Sequence, residues 1–232
     1  MFLSSLFNNR NNRRKSLFFF SVIPIIFFPL IVFHQVYNYS TQVVQSSSGY
    51  VLSSREMSLI KDGDIILRHG YGFVSDMIVD IKNEKYKVSH CAIICKDSLT
   101  NEINVIHSVS QTLAPFDGVQ IQPLKVFLND CQKNSIIISR YKHTTKEKPL
   151  CEISKRAKYY LNKRVPFDNN FNLFDSTKIY CTELIYLVIK DVFGDDIFKY
   201  KSNKSTNDID FMVFTDTTHF DVIINHHLRK DN

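Results

Sequence analysis

Between residues 181 and 192 the apolar positions fall at 181, 184, 185, 188, 189 and 192, the spacing that lays one stripe of an α-helix against a core. It predicts a helix that begins within a few residues of Cys181 and stops at Gly194, a residue able to take the left-handed conformation of a helix C-terminus. Asp175, Ser176 and Thr177 are the upstream N-cap candidates. Elsewhere the period drops to two. Residues 88–95 put Val88, His90, Ala92 and Ile94 on one face of a strand, and residues 102–109 do the same with Ile103, Val105, His107 and Val109. The link 96–101 is too short for a crossover, so the two strands form an antiparallel hairpin. If their inward faces coincide, His90 and His107 are cross-strand or diagonal neighbours. A strand leading to Arg68, strands at 118–122, 135–141 and 220–225, and helices at 74–81, 124–129 and 150–161, the last opened by Pro149, complete an α+β pattern: an antiparallel sheet packed against helices.

The front of the chain follows another rule. Residues 17–33 carry no charge and come directly after Arg10, Arg13, Arg14 and Lys15, which predicts a transmembrane helix of minimal length, with Pro24 and Pro29 as tolerated kinks. A cleaved signal peptide, the competing reading, has a shorter apolar core and a small-x-small site close behind it. The expected organisation is a basic segment at 1–16, an anchor at 17–33, a serine-rich tether at 34–60 with a short helix near Met57, and a folded domain at 61–232. Because flanking positive charges stay cytoplasmic, the protein is expected to be single-pass, with its folded domain on the non-cytoplasmic side.

Of the net charge of +6, four units come from that basic segment, where no acidic residue offsets them, leaving +2 for the rest. No Lys/Arg run interleaved with aromatics follows, which argues against nucleic-acid binding. The five cysteines, at 91, 95, 131, 151 and 181, are odd in number and form no CxxC, which argues against a disulfide framework or a zinc knuckle. Cys91 and Cys95 on one strand stand roughly 13 Å apart and cannot bridge each other.

A thiol at a helix start faces unpaired backbone N–H groups and the positive end of the helix dipole, both of which favour thiolate. Its bland reading is a small core hydrophobe. Catalysis needs a base to take the proton and a partner to hold the base in one tautomer. His90 is the candidate base, His107 the candidate orienter, and the Cys181 N–H a candidate oxyanion donor. A metal hydrolase on His69, His90 and His107 is a further possibility, although His69 reads better as a loop residue lining the cleft. His226 and His227 read as a solvated tail. No cofactor-binding motif is present.

Ser89-His90-Cys91-Ala92-Ile93-Ile94 resembles the SHxGI strand, and Tyr180-Cys181-Thr182-Glu183-Leu184-Ile185 the YCSEL helix, of the circularly permuted NlpC-type papain-like cysteine hydrolases of the YaeF/YiiX group. Gly63-Asp64-Ile65-Ile66 and Val165-Pro166-Phe167-Asp168, similar to the pYD before that helix, fall in the same order. The resemblance covers about 61–190. It implies a permuted papain-like fold, with Cys181 as nucleophile, His90 as base and His107 as the third, polar member, where many members carry glutamate. Ala92 replaces a common glycine and Thr182 a serine. Glu183 projects away from Cys181 on a regular helix and reads as structural. The resemblance also implies a hydrolase of amide or ester bonds, in cell-wall peptides or lipid acyl groups, acting through a Cys181 acyl-enzyme. The alternatives are a lecithin-retinol-acyltransferase-like acyltransferase and a catalytically silent binding module of the same fold.

Overall fold

The computed structural model of the chain describes residues 28, 29, 31–33, 35–37, 49–97, 99–114, 116–173, 175, 177–198 and 209–228. The chain divides into two compact units, Met1–Val43 and Val44–Asn232. In the first, the described residues between 28 and 37 are helical. Most of the span expected at 17–33 lies outside the described residues, and among those described no helix is long and apolar enough to cross a membrane.

The second unit is built on a six-stranded sheet in the order β4-β3-β2-β1-β5-β6, antiparallel throughout. Its elements in chain order are α1 (Ser54–Leu59), β1 (Ile65–Arg68), α2 (Phe73–Lys82), β2 (His90–Lys96), β3 (Ile103–Val109), β4 (Gly118–Pro123), α3 (Leu124–Asn129), β5 (Ile137–Tyr141), α4 (Cys151–Asn162), α5 (Cys181–Phe193) and β6 (Phe220–Asn225). Short 3₁₀ turns at Phe211–Thr215 and His226–Leu228 flank β6. The predicted hairpin is the β2–β3 pair, with Ile94 opposite Val105.

Both faces of the sheet are buried, so its central strands contribute alternate residues to two cores. Cys91, Ile93, Cys95 and Ile106 pack with Ile153 and Ala157 of α4 and Leu184, Ile185, Val188 and Ile189 of α5. Ala92, Ile94 and Val105 pack on the other side with Leu124, Phe127 and Leu128 of α3. This two-sided burial explains why β1 reads as four consecutive apolar or long side chains without alternation.

The folded unit starts ahead of the expected boundary at Lys61. Leu52 and Ile60 belong to the α3-side core, and Ser53 caps α1 in a reciprocal box with Glu56. Glu56 in turn accepts from the ring of His226 at 2.6 Å. His226 is 1% exposed, and the His227 ring meets the Ser135 carbonyl at 3.1 Å. The expected solvated tail is therefore part of the core edge: carboxylate, phenol and carbonyl partners far away in sequence accommodate rings that look idle in a polar stretch. All five cysteines are free thiols.

Candidate active site

α5 begins where predicted and ends at Gly194, which takes the left-handed conformation at φ 74. Its N-cap is Tyr180 rather than a residue of the 175–177 run, and three contacts fix that start. The Ile179 N–H donates to the Pro166 carbonyl at 3.0 Å. The Ile179 carbonyl accepts from Ser108 Oγ of β3 at 2.5 Å, and the Tyr180 N–H donates to Glu183 Oε2 at 3.2 Å. Glu183 is thus a cap, as its position implies, and burial pushes its carboxyl up to about 8. Asp168, fully buried, accepts from the Asn170 and Asn172 N–H groups and so builds the loop that delivers the chain to α5. On the β4 side this loop needs Gly118. At φ 83, with the place of a Cβ 2.1 Å from the Val165 carbonyl oxygen, no side chain fits there.

Cys181 is therefore the first residue of the helix, half-buried, where the backbone N–H has no partner within the helix. Its sulfur lies against β2. The Cys91 thiol leads the causes that hold the Cys181 thiol below its ordinary value. Burial works against the shift, and the Cys91 and Thr182 N–H groups and the Lys82 charge reinforce it. Burial and this same contact push the Cys91 thiol well above its ordinary value, so Cys91 is the donor of the pair and Cys181 the thiol that ionises. The Cys91 N–H is available because the β2–β3 ladder stops at Ile93–Ile106. Beyond that point the strands part, and the segment entering α5 occupies the gap.

His90 and His107 meet as the hairpin predicts, His90 Nε2 to His107 Nδ1 at 2.8 Å. Their rings stand edge-on to each other and both pack on Phe127 of α3. Burial, then His107, then Arg68 hold the His90 imidazole well below its ordinary value, while burial and Arg68 bring His107 down to about 3. Both rings are therefore neutral. The neutral tautomer in which His90 Nε2 donates to His107 Nδ1 leaves His90 Nδ1 with a lone pair and puts the His107 proton on Nε2, a buried atom without a partner.

The histidine pair thus belongs to the α3 side of the sheet and Cys181 to the α5 side, and among the described residues no hydrogen bond joins the sulfur to either ring. The sulfur reaches β2 at the residue immediately after His90, at the end of the sheet where the strands separate. Sequence reasoning missed Cys91 as the sulfur's partner because it reads as one more buried strand residue. It also missed Arg68, although Arg68 stands opposite His90 in the β1–β2 register and lies over Phe127. His69 does not line this site. It is buried, bonded to Asp76 Oδ1 at 2.8 Å and near Gln132, and so does not form a metal triad with His90 and His107. Ser89 of the histidine strand accepts from the Gly70 N–H and meets Ser75 of α2, tying both to the site.

Comparison with known proteins bears on this arrangement. The family profile described as permuted papain-like amidase enzyme, YaeF/YiiX, C92 family, matches residues 59–214. No curated protein sequence matches the chain. Among solved structures, the metalloprotein YiiX from Escherichia coli O157:H7 aligns at a TM-score of 0.55 and 17% identity, over 71% of this chain and 97% of that one, a likeness of fold.

Proposed function

The chain belongs to the permuted papain-like amidase family of the YaeF/YiiX type, and from that premise we propose that it is a membrane-anchored cysteine hydrolase in which Cys181 attacks an amide or ester carbonyl with His90 as base. One observation carries the assignment: the residue at the first position of α5 is a thiol held below its ordinary value at the peptide that follows His90. In the structure that thiol is turned to Cys91. The proposed catalysis requires the thiol and the His90 ring, which lie on opposite sides of the sheet, to meet past its open end at His90 Nδ1, the nitrogen that the His107 bond leaves free.

Attack then transfers the thiol proton to His90, and the oxyanion of the tetrahedral intermediate meets the Cys181 N–H. An imidazolium at His90 sits near Arg68 in a buried setting, which makes it a strong acid. It gives its proton to the leaving amine or alcohol and leaves an acyl-enzyme for water to cleave. His107 holds the His90 ring through Nε2 and stays neutral throughout. The substrate classes, cell-wall peptides or acyl lipids, are what the family resemblance implies, and the anchor at 17–33 rests on the charge and hydropathy pattern of the sequence.

Alkylation of the full-length protein by iodoacetamide, with the modified cysteine identified by mass spectrometry, tests the assignment. Cys181 is expected to label at least about ten-fold faster than Cys151, the other half-buried thiol, and His90→Ala is expected to abolish that advantage. Equal labelling of the two thiols, or a rate indifferent to His90→Ala, overturns it. A labelled acyl substrate offered with and without an alcohol or amine acceptor then separates hydrolysis from transfer by where the label ends.

A further inference from the structure

The opposite end of α5 carries a second cluster. β5 ends at Tyr141, α5 at Phe193 and β6 starts at Phe220, and the residues just beyond these ends converge on a cavity of about 630 Å³. Tyr141, His143, Glu147, Lys148, Asp195 and His219 line it. His143, Asp195 and His219 each place one nitrogen or carboxylate oxygen within 4.8 Å of the other two. We propose that this cluster is a binding site for a divalent metal of the zinc type, remote from the thiol and structural in role.

The donor set suits such an ion: two imidazoles and one carboxylate are borderline ligands that select zinc over calcium or magnesium. Ligands about 2.0–2.2 Å from a tetrahedral ion stand about 3.3 Å apart. His219 Nδ1 and Asp195 Oδ2 are already 3.1 Å apart. His143 is exposed, and its ring packs edge-on against that of His219 with centroids 5.4 Å apart. Supporting contacts of the kind that orient metal ligands are in place. The Tyr141 hydroxyl donates to Asp195 Oδ2 at 2.7 Å. His143 Nε2 donates to the Thr218 carbonyl at 3.1 Å, which leaves its Nδ1 with the lone pair. Glu147 lies on the same wall and is the fourth ligand where water is not. Lys148, also on that wall, is the one cation among the lining residues and leaves the carboxylates in excess.

α5 spans 13 residues, about 18 Å at 1.5 Å per residue, so an ion here does not touch the Cys181 chemistry. It would clamp the β5–β6 end of the sheet to the segment after α5.

The full-length protein, stripped with a chelator and dialysed, is titrated with zinc by calorimetry and with cobalt(II) by visible absorption. One ion per chain is expected, with the ligand-field bands of a four-coordinate cobalt site and a rise in melting temperature on zinc addition. His143→Ala, at an exposed position that cannot unfold the domain, is expected to weaken binding at least about 100-fold and to abolish the rise. Asp195→Asn, which keeps the Tyr141 hydrogen bond, is expected to do the same. The alkylation rate of Cys181 is expected to be equal with and without the ion. Absence of zinc binding, binding unaffected by both substitutions, or a Cys181 rate that follows the ion overturns the proposal.

Discussion

At the residue scale, the state of the Cys181 thiol depends on a neighbour that the sequence gives no reason to single out. Cys91 donates its thiol proton toward Cys181 and is itself pushed well up. Cys91→Ala removes that donor but leaves the Cys91 N–H and the helix start in place, so the Cys181 thiol should rise. The pH profile of Cys181 alkylation is expected to shift to higher pH, with a fall of at least about three-fold in the rate at pH 7. An unshifted profile would mean that the backbone N–H groups and the helix dipole set the thiol alone. The placement of Cys181, His90 and His107 on one helix and two strands was legible because strand alternation and a helix stripe locate side chains on elements. Their distribution between two faces was not, since alternation says which residues share a face but not which face a distant helix covers. The direct pairing of His90 with His107 was readable from hairpin geometry, whereas the bond that closes Cys181 onto Cys91 depends on where a ladder ends.

At the element scale, the start of α5 is governed by Glu183. Its carboxyl, raised to about 8 by burial and then by Asp168 and Asp175, accepts the Tyr180 N–H, a bond that works against the rise. A carboxyl raised in the folded state holds its proton where the unfolded chain has lost it, so its contribution declines as pH climbs from about 4.5 to about 8. Glu183→Gln keeps an acceptor without the charge. Its stability to urea is expected to be flatter than that of the wild type across this window, and the variant to be the more stable of the two at pH 8. Identical pH profiles would show that Glu183 ionises in the fold as freely as in the unfolded chain. Most strands and helices were legible to within two residues because their periods are clean. The α5 N-cap was not: an aromatic N-cap held by Pro166 and Ser108 is set by tertiary contacts that outweigh the preference for Asp, Ser or Thr. α1 lies in a serine-rich stretch whose burial rests on Leu52, Ile60 and a partner at His226, which no local pattern discloses.

At the scale of the whole molecule, the site exists because the sheet opens at one end and the loop before α5 fills the opening. Gly118 sets how closely that loop approaches β4. Gly118→Ala puts a Cβ on the Val165 carbonyl and strains a positive φ. It is expected to cost about 1–3 kcal/mol in urea unfolding, and to slow Cys181 alkylation because the helix start moves with the loop. A loss of stability with the alkylation rate intact would separate this loop from the site. Near the other end of the chain's course, Tyr50 and Glu56 both bond to His226, so the beginning and the finish of the folded unit lie side by side. Such a polypeptide is topologically almost a ring: a short linker could weld its ends and a cut be made in a surface turn, leaving the same architecture in a new chain order. Any tension on the segment leading to residue 50 would be passed straight to residue 226, bypassing the Cys181 end of the sheet.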